Sequence, residues 1–92
     1  MKLLTKAQRD KLIRNHTENE GQEETKKHKV VVKLFNPTGI GTWYLTELNP
    51  YTNQAFGLAD VHEKELGYID LTELEDFKGK LGLGIERDRY SK

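Results

Sequence analysis

An α+β domain follows from three features of this chain. A capped amphipathic segment opens it, β-branched and alternating stretches joined by short turns fill its middle, and a second capping pattern precedes a glycine-rich end. The expected architecture is an N-terminal helix, a four-stranded antiparallel β-meander, a short second helix and an extended C-terminal strand. The 92 residues suit one domain, 1–92, because single cores run from about 50 to about 250 residues. A domain this small buries only about 60–65% of its unfolded surface, which leaves little depth for an enclosed site.

Thr5 followed by Gln8 is a capping-box pattern, in which the Thr hydroxyl accepts from a first-turn amide and the Gln side chain accepts from the cap amide. It opens a helix over 5–16, with Leu4, Ala7, Leu12 and Ile13 as the expected buried stripe. Residues 17–28 contain no apolar side chain. Burial there cannot offset the entropy of ordering, so a mobile polar loop is expected.

Strand patterns begin at Lys29, and the sheet with its short helix is expected to fill 29–90. Residues 29–35 are rich in β-branched side chains and end at Asn36-Pro37-Thr38-Gly39. Residues 42–48 alternate and are closed by Asn49 and Pro50, and two further strands are expected at 54–62 and 66–71. Their short connections favour antiparallel neighbours. A turn centred near Tyr51 and Thr52 sets Glu47 opposite Phe56, Leu45 opposite Leu58 and Trp43 opposite Asp60, all on one face. Thr72 and Glu75 form a second capping box, opening a short helix that Gly79 stops. Residues 81–88 read as the final extended segment.

Net charge is zero, but residues 1–36 carry nine Lys/Arg against five Asp/Glu, and residues 37–92 carry six against ten. A nucleic-acid-binding domain usually shows a clear basic excess, which is missing here. There is no cysteine, so disulfides, thiolate metal sites and cysteine nucleophiles are excluded. The apolar run at 30–32 falls far short of the roughly 20 residues needed to cross a bilayer. Together with a start that lacks a secretion signal, this gives the expectation of a cytoplasmic protein with no membrane partner.

Reactive chemistry is sparse. His16, His28 and His62 lack metal-ligand spacing, so no metal and no cofactor are expected. Glu47 and Asp60 share a face, but in the expected register they stand roughly 13 Å apart, too far for a paired acid and base. The glycines between 79 and 84 follow a helix instead of joining a strand to a helix N-terminus, so they suit a helix stop and turns better than a phosphate cradle. The single serine, Ser91, has no evident base.

These absences favour a small non-catalytic binding protein. The expected binding residues are Trp43, Tyr44, Glu47, Asp60 and Arg87. Trp43 and Tyr44 are strand neighbours and must point to opposite faces. A nucleic-acid-binding alternative uses Lys6, Arg9, Lys11 and Arg14 on phosphates. A third reading, an enzyme, requires Glu47, Asp60 and Arg87 to meet in a cleft. Self-association through 29–35 is expected if that strand lies at a sheet edge.

Several stretches, in order along the chain, resemble one bacterial family: MKLLTKAQR (1–9), VVKLF (31–35), TWYLTEL (42–48), AFGLAD (55–60), ELGY (65–68), LTELE (71–75), and LGL (81–83) with IERD (85–88). The family is that catalogued as domain of unknown function 2958. It has no established activity, so the resemblance carries over no functional residue. It implies a gene on a plasmid or other mobile element, near functions in maintenance, transfer or resistance to host defences. With the lack of a catalytic constellation and the split charge, that resemblance makes a host-defence nuclease complex, such as a CRISPR effector or restriction enzyme, one concrete protein partner, which the chain would inhibit as an anti-CRISPR or anti-restriction protein. The nucleic-acid alternative becomes an accessory role in plasmid maintenance or transfer.

Overall fold

The structure is a computed structural model that describes residues 3–22, 24 and 26–89. Lys2, Tyr90 and Ser91 lie outside the described residues. A helix, α1 (Lys6–Asn19), precedes strands β1 (Val32–Phe35), β2 (Thr42–Asn49), β3 (Gln54–Val61) and β4 (Glu63–Asp70). A short helix, α2 (Leu71–Asp76), a single 3-10 turn (Lys80–Gly82) and a two-residue strand, β5 (Glu86–Arg87), complete it. The α+β class and the antiparallel sheet agree with the sequence reading. Among the described residues the sheet has five strands in the order β4-β3-β2-β1-β5, because the C-terminal strand returns to pair with β1.

The N-terminal capping box forms in full. Gln8 N donates to Thr5 Oγ1 at 3.1 Å, and Thr5 N donates to Gln8 Oε1 at 3.0 Å. The helix then runs three residues past the expected end. Thr17 Oγ1 satisfies itself on the Ile13 carbonyl at 3.0 Å, and Asn19 is buried by polar contacts that no hydrophobic pattern reveals. Thr17, Glu18 and Asn19 are thus helix and not loop. Ala7 is exposed, contrary to the expected stripe; Leu3 and Leu4 take the buried positions beside Leu12.

Three boundaries move for identifiable reasons. β1 begins at Val32 and not at Lys29, although Val31 N still donates to Leu45 O at 2.9 Å. β4 begins at Glu63, because the charged residues Glu63, Lys64 and Glu65 pair with Val61, Asp60 and Ala59. They continue the hairpin beyond the core, where a strand needs no apolar side chains. His62, at φ 70°, turns it. The cap of α2 is Asp70 instead of Thr72: Asp70 Oδ1 accepts from Thr72 N at 2.9 Å and from Glu73 N at 3.4 Å. The Thr72 hydroxyl instead accepts from Asn53 Nδ2 at 2.9 Å.

The largest departure lies inside β2. Glu47 pairs with Phe56 as expected, but Leu45 pairs with Gly57 and Trp43 with Ala59. Thr46 is therefore an extra residue, a β-bulge, and it shifts the side-chain phase of the strand by one position. Leu45 and Leu48, three residues apart, are both fully buried as a result. Trp43 and Leu45 thus share the core face, while Glu47 shares the other face with Phe56, correcting the common face expected for them.

The bulge is held from two sides. Thr46 Oγ1 donates to Phe56 O at 3.1 Å, and Asn15 Nδ2 of α1 donates to Thr46 O at 3.0 Å. β1 stops pairing with β2 at Leu45, so the buried Asn15 supplies a donor where the ladder ends. Leu12, Leu34, Leu45, Leu48, Leu71 and Ile85 form the fully buried centre. Truncating such a leucine to alanine typically costs about 2–5 kcal/mol.

Two outcomes follow from this packing. A Cβ on Gly57 would overlap the Tyr44 carbonyl oxygen, whereas one on Gly67 would meet nothing within 4 Å. Urea unfolding should show Gly57→Ala losing about 2 kcal/mol or more, and Gly67→Ala staying within about 0.5 kcal/mol of the parent; equal losses would contradict the assigned packing. Asn19 clasps the backbone of Lys26, donating to its carbonyl at 2.9 Å and accepting from its amide at 2.7 Å. Asn19→Ala should cost about 1–3 kcal/mol, with the Lys26 amide losing its protection from hydrogen exchange.

Candidate functional site

Antiparallel partners send their side chains to the same side of a sheet. Across β2, β3 and β4, Glu47 aligns with Phe56 and Tyr68, Tyr44 with Leu58 and Leu66, and Thr42 with Asp60 and Lys64. The opposite side carries the buried rows of Leu45 with Gly57, and of Leu48 with Ala55 and Ile69. The first side is open. Tyr68 is 78% exposed and Leu66 69%, and Phe56, Leu58, Tyr44 and Asp60 are half-buried. A single sheet with one face on its core leaves the other to solvent. Here that face carries large apolar and aromatic groups.

At one end of this face lies a cavity of about 330 Å³ lined by His16, Glu47, Asn49, Gln54, Phe56 and Tyr68. Phe56 and Tyr68 meet edge to face, with ring centroids 5.4 Å apart and planes at 70°. Asn19 Nδ2 donates to Glu47 Oε2 at 3.0 Å and fixes the carboxylate. Among the described residues no cation forms a salt bridge with Glu47. His16 Nε2 stands 3.5 Å from Glu20 Oε2 instead. A positioned carboxylate, two aromatic rings and side-chain amide oxygens on one concave patch match a guanidinium or ammonium group.

The expected binding residues divide between the two faces. Tyr44, Glu47 and Asp60 lie on the open side. Trp43 packs against the core side, its ring so close over Gly41 that a Cβ there would lie 2.6 Å from it. Gly41 also has φ 138°, a backbone state that favours glycine. Arg87 pairs with Leu34, and its Nη1 donates to Leu3 O at 2.8 Å. It clasps the N-terminal segment on the core side, so Glu47, Asp60 and Arg87 do not meet. Asp60 also lies four positions along β3 from Phe56, the residue opposite Glu47, roughly 13 Å. Phe56 and Leu58 were legible as a common face with Glu47. His16, Asn19 and Tyr68 were not, because they join the site from α1 and from a strand with too few apolar residues to show its phase.

The basic residues of α1 do not form one stripe. At about 100° per residue, Lys6, Arg9, Lys11 and Arg14 spread over roughly 200° of the helix circumference. Lys6 Nζ donates to Asp10 Oδ2 at 2.8 Å; this hydrogen bond and the charge of Asp10 hold the ammonium pKa above its ordinary value. Arg9 Nη1 donates to Asn53 Oδ1 at 3.4 Å. Lys11 and Arg14 are exposed. A second cavity, of about 610 Å³, sits beside Lys6 and Arg9 against Pro50, Asn53 and Glu75, and there both cations already have partners within the chain. Among the described residues no group of three or more His, Cys, Asp or Glu is placed to hold a metal ion. No described helix is long and apolar enough to cross a membrane.

A family model described as "Protein of unknown function (DUF2958)" matches residues 3–92. No curated protein and no solved structure matches the chain. The matched span takes in every described element, both faces of the sheet and the cavity at Glu47. The chain belongs to the DUF2958 family of proteins of unknown function.

Proposed function

We propose that this protein is a small non-catalytic accessory factor that binds another protein through its open sheet face, with Glu47, Phe56 and Tyr68 receiving a basic side chain of the partner. The supporting observation is the geometry around Glu47: an oriented carboxylate with no salt-bridged cation among the described residues, beside two rings in edge contact. Exposed aromatic residues flanked by charge are a common composition for the energetic centre of a protein interface. The split of charge along the chain adds complementarity for docking. The resemblance to a family carried on mobile elements supplies the partner class: a host-defence nuclease complex of the CRISPR or restriction type, which the bound chain would inhibit in the bacterial cytoplasm.

The alternative role, a nucleic-acid accessory in plasmid maintenance or transfer, has less support, because the cations of α1 diverge and two of them are internally paired. It predicts DNA or RNA binding that weakens steeply with salt, and a gel shift at low salt decides it.

Two measurements test the leading reading. Titration with N-acetyl-arginine methylamide should shift the ring resonances of Phe56 and Tyr68, and Glu47→Gln should abolish most of that response. In affinity capture from host lysate, Glu47→Gln and Tyr68→Ala should each weaken partner recovery about tenfold or more. Tyr68 is mostly exposed, so its loss should leave folding intact. Capture that is unchanged by both variants would contradict the assignment.

A further inference from the structure

The two edges of the sheet are unequal. β5 offers two residues, Glu86–Arg87. β4 offers eight, pairs with β3 along its whole length without a register shift, and has six of its eight residues exposed. It contains no proline, and its outer N–H and C=O groups form a template for another strand. β1 lies between β2 and β5, so the segment 29–35 is not the edge that self-association through it requires.

A symmetric antiparallel pairing joins residues of the same parity, since paired side chains share a face and paired backbones point at each other. Each pairing is therefore centred on one residue. Centring on Lys64 sets Lys64 against itself, and centring on Glu65 sets Glu65 against itself; both oppose like charges. Centring on Leu66 opposes no like charges but gives Lys64 only Tyr68 as its partner. Centring on Tyr68 leaves only a five-residue overlap. The centre at Gly67 aligns Lys64 with Asp70 and Leu66 with Tyr68, each twice by symmetry, on the open face. Opposite-charge and apolar cross-strand pairs both stabilise a ladder. Asp70 uses Oδ1 to cap α2, and its carboxylate has a second oxygen to offer a cation.

Gly67 gives a separate indication. Its φ lies outside the left-handed region, and a Cβ there would meet nothing within 4 Å. Nothing among the described residues of one copy therefore calls for glycine, which weakens an isolated strand and is often found where another backbone approaches closely.

We propose that β4 is a self-pairing edge: two copies join antiparallel about a two-fold axis at Gly67, with Lys64 of each against Asp70 of the other. The two five-stranded sheets become one continuous sheet, and the open faces with their Glu47 cavities lie side by side. A partner that presents two basic sites is then bound at both.

The absence of cysteine permits a direct test on the full chain, using single variants Gly67→Cys, Leu66→Cys and Tyr68→Cys. Under mild oxidation Gly67→Cys should form a disulfide-linked dimer at least about tenfold faster than either neighbour, because only self-paired residues have Cα atoms within bridging range. A mixture of Leu66→Cys with Tyr68→Cys should cross-link between the two variants. Fastest linkage at Leu66→Cys, or equally slow linkage at all three, overturns the register. Sedimentation of the unmodified chain should show a dimer that Lys64→Glu weakens about tenfold. A monomer throughout the accessible concentration range overturns the proposal itself.

Discussion

One extra residue in the central strand decides which side chains this protein hides and which it shows. Were Thr46 paired like its neighbours, strict alternation along β2 would place Leu45 and Glu47 on one face and send Leu48 to the other. The bulge lets Leu45 and Leu48 both reach the core and turns Glu47 outward beside Phe56. The displaced backbone is bonded on both sides, by the Thr46 hydroxyl on β3 and by Asn15 of α1. A bulged carbonyl left unpaired beside the core would carry a penalty of about 1–3 kcal/mol, so helix, bulge and core depend on one another. Gly57 completes the arrangement, since only a residue without a Cβ fits against the Tyr44 carbonyl.

Much of the framework was legible because its signals are local. Thr5 and Gln8 announce a helix start, Asn36 and Asn49 sit at turns they help to form, β-branched residues mark the first strand and alternation the second. Hydrophobic pattern fails where polar groups replace apolar ones as the reason for order. Asn15 and Asn19 are buried for their hydrogen bonds, so the last turn of α1 reads as loop. Glu63, Lys64 and Glu65 form strand where the hairpin has left the core, so they read as a connection. The bulge is the hardest case, since Leu45-Thr46-Glu47-Leu48 also fits plain alternation closed by a turn, and only the demand that two leucines be buried three positions apart reveals it. Arg87 and Trp43 were placed with the acidic residues by proximity in pattern, whereas their pairing partners, Leu34 and Ala59, set them on the core side.

The sheet is covered on one side and open on the other, and Glu47, Asp60 and Arg87 stay apart. What the fold does supply is a flat, partly aromatic face with a fixed acid at one end and an eight-residue strand at its border. Both features suit recognition, the first of a basic side chain and the second of a backbone. The DUF2958 family match, over residues 3–92, spans the whole of this arrangement.

Cross-strand nuclear Overhauser contacts between β2 and β3 report on the bulge at Thr46 itself. The bulge predicts close backbone contacts for Leu45 with Gly57 and for Glu47 with Phe56, with Thr46 opposite no residue of its own. Contacts of Leu45 with Leu58 and of Thr46 with Gly57 would mean an unbulged strand, and Glu47 would then return to the side of Leu45.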